Sequence, residues 1–237
     1  MSYLQITSRC NMTCVHCCFN CTSKGRDMQW ATVQRAVEFS ISTLGEEHVT
    51  IGGGEPTLHP QFFDIIELCL TKFYSTMIIT NGSQMEVMYR LADILDENDY
   101  DKEGENCIIP RSPESLQVEL SQDPYHSTIN KGVVDLWKAS AKRNKSYGVR
   151  DVSKNRKGLM NRGRAKINQL GSDDSCACAD ILIKPSGKIK ACGCDSAPII
   201  GDVKNDISKY WSTVLQSDEW NDSDRCYNDY KKRMSTK

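Results

Sequence analysis

The chain has 237 residues, 39% of them hydrophobic and 26% charged, with a formal net charge of −1. That length suits one medium domain, or a domain with a small appendage, and needs neither disulfides nor a metal merely to hold a core. No stretch approaches about 18 consecutive apolar residues, which excludes a long apolar membrane span, and the start MSYLQITSRC lacks the basic-then-apolar pattern of a secretory leader. The sequence therefore predicts a cytoplasmic protein without membrane contact.

Taken in chain order, Tyr3 to Thr7 alternate and are rich in strand formers, so they predict a short strand. A cysteine-rich loop, 8–26, follows. Asp27 is placed to cap a helix reaching about Leu44, because Trp30, Val33, Val37 and Ile41 recur at helical spacing. His48 to Ile51 predict a second strand, ended by three glycines, and Phe62 to about Phe73 a second helix. Thr76 to Thr80 form a third strand, stopped by Asn81-Gly82, and Met85 to about Leu95 a third helix. The stretch 96–113 is polar and acidic and predicts a loop. Leu116 to Leu120 give a fourth strand and Asn130 to Asn144 a fourth helix. Residues 147–170 are expected to hold short strands around Val149 and Ala165. Strands alternating with helices imply a parallel sheet with right-handed crossovers. About six strands is the natural number here, giving an α/β partial barrel over residues 1–170.

The character changes from Ser172. Ile181-Leu182-Ile183 and Lys188 to Ala191 flank a Pro/Gly turn and predict a hairpin. A cysteine pair stands at each end of it, Cys176 and Cys178 before and Cys192 and Cys194 after, with Cys226 further on. We expect a small cysteine-rich β-hairpin module over residues 171–237.

Twelve cysteines in a chain expected in a reducing compartment point to metal binding or chemistry rather than disulfides. Cys10, Cys14 and Cys17 form C-x3-C-x2-C directly after the first strand. Three thiolates leave one iron of a 4Fe–4S cluster open to a non-protein ligand. A zinc site is the alternative, and Cys14, Cys18 and Cys21 offer an overlapping register of the same spacing. The second strand closes with Gly52-Gly53-Gly54-Glu55-Pro56-Thr57. This is no P-loop, since the lysine and following hydroxyl residue are missing, and G-x-G-x-x-G fails at Thr57. Glycine permits close backbone approach, and Glu55 can accept hydrogen bonds from an ammonium group.

The cysteine loop and the Gly-Gly-Glu-Pro turn, in this order after the first two strands, resemble the radical S-adenosylmethionine (SAM) superfamily. The resemblance implies a partial (βα)6 barrel and a 4Fe–4S cluster on Cys10, Cys14 and Cys17. It also implies reductive cleavage of SAM to a 5′-deoxyadenosyl radical that abstracts hydrogen from a substrate. His16 departs from the aromatic residue common at its position. Gly53, Gly54 and Glu55 would contact SAM. Asn81 at the end of the third strand, Glu119 and Ser121 on the fourth, and Arg164 further on are additional candidates for SAM contacts. A flavodoxin or ferredoxin is the implied reductant. The spacing of Cys176, Gly187 and Cys192 resembles the SPASM and twitch auxiliary domains of that family. It implies a second iron–sulfur cluster on four of Cys176, Cys178, Cys192, Cys194 and Cys226, with zinc as the alternative.

Between Lys138 and Lys166 there are eleven lysines and arginines against one acid, Asp151. This run is either a solvated face or a wall for a phosphate-bearing partner. The resemblance implies a peptide substrate or activation of a partner enzyme by glycyl-radical formation, whereas the basic run favours a nucleotide or nucleic acid. A zinc-stabilised nucleic-acid-binding module without catalysis is the competing reading.

Overall fold

A computed structural model describes residues 1–100, 116–154, 159–172, 181–193, 197 and 199–205. Strand β1 (Ser2–Thr7) leads through the cysteine loop to helix α1 (Trp30–Glu38), which runs on as a π-turn over Phe39–Thr43. Strand β2 (His48–Gly53) and a 3₁₀ turn (Pro56–Leu58) precede α2 (Phe62–Lys72) and β3 (Ser75–Thr80). Then come α3 (Met85–Tyr100), β4 (Leu116–Ser121), α4 (Lys131–Ser140) and β5 (Tyr147–Arg150). The short strand β6 (Leu159–Met160), the helical turn α5 (Gly163–Ile167) and β7 (Gly171–Ser172) follow. Strands β8 (Ile181–Ile183), β9 (Lys188–Lys190) and β10 (Ile199–Asp202) complete the described chain.

Strands β1 to β5 pair in order and in parallel, as βαβ crossovers require. Strand β8 pairs in parallel with the free side of β1, through Ser2–Ile181, Tyr3–Leu182 and Leu4–Ile183. The sheet order is therefore β10-β9-β8-β1-β2-β3-β4-β5, with the β8–β9–β10 segment antiparallel. The hairpin expected at Ile181 to Ala191 thus joins the same sheet as the first strand. The strand expected at Ala165 is instead the helical turn α5; the sixth parallel strand comes from β8.

Period-two alternation divides the sheet. Leu4, Ile6, Val49, Ile51, Ile78, Val118 and Leu120 are at most 1% exposed and pack under the helices. The helices supply Val33, Ala36 and Val37, then Ile65 and Ile66, then Met88 and Leu91, then Val133 and Trp137 to the same core. Burying each large aliphatic side chain contributes roughly 1.5–3 kcal/mol, so this layer dominates stability. The other face turns its side chains into the barrel: Tyr3, Thr50, Met77, Ile79 and Ser121 line an interior cavity. The far end is pinned by Tyr147, whose hydroxyl donates to Ala92 O at 2.9 Å while its ring meets Trp137 at 5.0 Å.

Asp27 does not cap α1. Gln29 holds the cap position without a side-chain hydrogen bond. Asp27 instead accepts from Thr7 Oγ1 at 2.6 Å and pairs with Arg9 Nη2 at 2.7 Å. It thereby ties the exit of the cysteine loop back to the strand from which the loop departs.

Candidate functional site

A cavity of about 310 Å³ opens at the carboxyl ends of the parallel strands, where ligand sites of parallel α/β folds gather. Cys10, Cys14 and Cys17 all line it, together with Gly53, Gly54, Asn81, Ser121 and Arg164. Strand β1 ends three residues before Cys10. The loop is fixed by Cys10 N donating to Thr22 O at 2.9 Å and Ser8 N to Arg26 O at 2.9 Å.

The glycine turn after β2 is zipped to this loop. Gly54 N donates to Thr7 O at 2.8 Å and Glu55 N to Arg9 O at 2.9 Å, extending the β1–β2 pairing up to the first cysteine. Gly53 has φ +140, and a Cβ on Gly54 would sit 2.1 Å from Arg9 O and 3.1 Å from Cys10 Cβ. Only glycine permits this approach.

Glu55 is completely buried. Its Oε1 accepts from Thr57 Oγ1 at 2.6 Å, Thr57 N at 3.1 Å and Thr80 Oγ1 at 2.6 Å, and its Oε2 accepts from Asn81 N at 2.6 Å. Burial pushes its carboxyl up, opposed by these donors. The carboxylate thus joins the ends of β2 and β3, and Oε2 keeps a lone pair for a further donor. The Asn81 side chain donates to Asn11 Oδ1 at 3.2 Å and lies 3.9 Å from Cys10 Sγ.

The thiols are crowded. Burial pushes Cys10 and Cys14 up, Cys14 to about 11, with neighbouring cysteines adding to the effect. Cys17 is held down by the Cys21 thiol beside it and by the backbone N–H groups of Cys21 and Phe19. Cys18 also lines the cavity, and Cys21 is buried against Cys10 and Cys17. The Cys21 thiol accepts from Gln5 Nε2 at 3.6 Å beneath the loop, and Cys18 lies beside Arg162.

Arg164 grips the loop from α5. Its Nε donates to Cys14 O at 2.8 Å, its Nη1 to Cys21 O at 2.7 Å, and its backbone N to Cys17 O at 2.8 Å. Ser121 lines the cavity, whereas the Glu119 carboxylate lies over Gly148, where an added Cβ would meet it at 2.2 Å. Cys192 is buried at the end of β9. Cys176, Cys178, Cys194 and Cys226 lie outside the described residues, as do Cys107, Trp211 and Trp220. Cys69 packs in the core of α2, and His59 is a buried structural histidine whose Nε2 meets Met28 O at 2.9 Å.

Asp123 was not singled out from sequence. The loop after β4 brings Asp123 and His126 against His16, with His126 Nδ1 2.9 Å from Asp123 Oδ1 and His16 Nε2 3.7 Å from Asp123 Oδ2. The Tyr125 ring backs His16 in a tilted contact at 5.0 Å, and His16 and His126 line the cavity at the departing His16 position. The basic run is not one surface: Arg150, Arg162 and Arg164 line the cavity, while Lys154 pairs with Asp151 at 3.0 Å outside it. Alternation of a strand end could have located Arg150, but nothing local marks Arg162.

The family profile described as "Radical SAM superfamily" matches residues 4–156. The chain is 31% identical over 91 residues to the mycofactocin maturase MftC of Mycobacterium tuberculosis (strain CDC 1551 / Oshkosh), covering 37% of this chain and 23% of that protein. It is 31% identical over 97 residues to the tungsten-containing aldehyde ferredoxin oxidoreductase cofactor-modifying protein of Pyrococcus furiosus, covering 39% of this chain and 27% of that protein. The matches thus span about a quarter of the length of these relatives. The crystal structure of BtrN in complex with AdoMet and 2-DOIA superposes with a TM-score of 0.61 at 18% identity, over 89% of this chain and 81% of that one. That likeness establishes the fold, a partial barrel with a parallel sheet.

Proposed function

We propose, because this chain belongs to the radical SAM superfamily, that it cleaves SAM reductively at a 4Fe–4S cluster held by Cys10, Cys14 and Cys17 and abstracts hydrogen from a substrate. When bound, the cofactors supply the one-electron chemistry and the carbon radical. The observation that carries this reading is the zipped pair of motifs, in which three thiols and the Gly53-Gly54 turn border one cavity, held together by the Gly54–Thr7 and Glu55–Arg9 bonds.

The residues divide the remaining work. Gly53 and Gly54 let the SAM methionine approach the backbone, and Glu55 Oε2 accepts from its ammonium. Ser121, which lines the cavity with Asn81, contacts the ribose or methionine end of SAM, with Glu119, beside Gly148, as a further contact. Arg164 holds the cysteine loop and adds positive charge near the SAM carboxylate. His16, backed by Tyr125, excludes water from the adenine. A flavodoxin or ferredoxin delivers the electron in the cytoplasm.

Four of Cys176, Cys178, Cys192, Cys194 and Cys226 hold a second cluster, in a module that begins near residue 171. The substrate is a peptide or a nucleotide-bearing molecule, the former in keeping with a relative named as a maturase.

The test is anaerobic purification with iron and sulfide quantified, followed by SAM and dithionite with 5′-deoxyadenosine as readout. We expect about eight irons and formation of 5′-deoxyadenosine. About four irons would remove the second cluster. Stoichiometric zinc with no 5′-deoxyadenosine would overturn the enzyme reading in favour of a zinc-stabilised binding module.

A further inference from the structure

Arg162 is 6% exposed, and its Nε and Nη1 are buried without a hydrogen-bond partner. Among the described residues no carboxylate pairs with it. The Cys18 thiol is its neighbour, yet two buried N–H groups without an acceptor are costly, which leaves them open to an anionic group that arrives.

Its position is built rather than accidental. The guanidinium lies over the Phe19 ring at 5.1 Å, and a Cβ on residue 193 would sit 1.9 Å from Nη1, so Gly193 makes the room it occupies. It lines the cavity that holds Cys10, Cys14 and Cys17, and Arg150 lines the same cavity. Nearby acids are engaged elsewhere: Glu55 receives its four donors, and Asp123 sits against His16 and His126. Arg164 is spent on loop carbonyls. A second cavity of about 400 Å³ shares Cys18, Phe19, Leu182 and Gly193 with the first and is lined by Arg26, Lys184 and Lys190. Three cations thus border the cavity that adjoins the one lined by Arg162.

The structure assigns Arg162, supported by Arg150, to an anionic oxygen group of the substrate, a carboxylate or a phosphate, that docks beside the cysteine loop. This rests on the proposed function for the meaning of "substrate", but the anion site itself does not need SAM cleavage. A guanidinium fork suits either group, which it binds through two parallel hydrogen bonds.

The experiment uses the cluster-reconstituted full chain and two probes, inorganic phosphate and acetate, titrated calorimetrically at constant ionic strength against chloride. Saturable binding of one probe is expected, and the tighter probe identifies the group. Arg162→Gln should weaken it at least tenfold, and Arg162→Lys, which keeps charge but loses the fork, should fall between. Binding should persist with SAM at saturation, and the iron content of Arg162→Gln should match that of the parent. Three results would overturn the assignment: no saturable binding of either probe, competition between the probe and SAM, which would make Arg162 a partner of the SAM carboxylate, or loss of iron in Arg162→Gln, which would make it a cluster counter-ion. Failure of 5′-deoxyadenosine formation with Arg162-dependent anion binding intact would strike the proposed function alone.

Discussion

Asn81 donates its backbone N–H to Glu55 Oε2 at 2.6 Å across 26 residues of sequence. The same asparagine places its side-chain amide 3.9 Å from Cys10 Sγ. The ends of β2 and β3 therefore meet at one buried carboxylate, and the Glu55 backbone N–H ties that junction to Arg9 O, next to the first cysteine.

Replacing that carboxylate tests the junction. Glu55→Gln puts an amide NH2 where donors already converge, leaving one N–H unsatisfied in a fully buried place. We expect a loss of about 1–3 kcal/mol in urea denaturation, together with reduced iron retention. An unchanged midpoint would show that the carboxylate is not the fastener.

Gly54→Ala drives a methyl group into Arg9 O, 2.1 Å away, and backbone cannot step aside as a flexible side chain can. A destabilisation of about 1–3 kcal/mol is expected. Circular dichroism melts check it, and a melt identical to the parent's would contradict the described close approach.

The cysteine register is decided by iron counting. Ala substitutions at Cys10, Cys14 or Cys17 should each remove about four irons per chain. Cys18→Ala and Cys69→Ala should leave the count alone, since Cys18 lies by Arg162 and Cys69 sits in the apolar core. Iron lost on changing Cys18 and kept on changing Cys10 would establish the overlapping register.

Much of this was legible beforehand. The first four strands and the helices between them announce themselves by period, and the two motifs sit where strand ends must put them. What stayed hidden is long-range. Nothing near Asp27 says that it serves Thr7 and Arg9 rather than a helix start. Ala165 sits in a stretch too short for a period to distinguish strand from helix. The partner of Ile181 to Ile183 is β1, some 180 residues upstream by the Ser2–Ile181 pairing, and an all-apolar triplet carries no record of its neighbour. Arg164 was found for the right neighbourhood, but its three loop bonds depend on α5, which the sequence did not disclose.

Those bonds give a further prediction. Arg164→Lys keeps the charge and loses the fork that reaches Cys14 O and Cys21 O. A chelator should strip iron from this variant roughly tenfold faster, the effect of losing one charge-assisted bond. Parent-like kinetics would relieve Arg164 of its grip on the loop.

The β9–β10 hairpin carries a pH signature. Burial would raise Asp202, but the Lys204 N–H and the Lys188 ammonium, 3.2 Å away, outweigh it and hold the carboxyl below its ordinary value. A depressed carboxylate stabilises the fold above its unfolded pKa and loses that contribution as pH falls through the folded one. Asp202→Asn should therefore cost about 0.5 kcal/mol at neutral pH, the size of an exposed pair, and match the parent in strong acid. A pH-independent difference would assign the effect to packing.

The pairing of β8 with β1 has a practical consequence. Cutting the chain ahead of Ile181 would do more than discard a distal cysteine segment. It would uncover the amide and carbonyl row of the strand that launches the cysteine loop, turning the innermost scaffold into a sticky, open border prone to self-association.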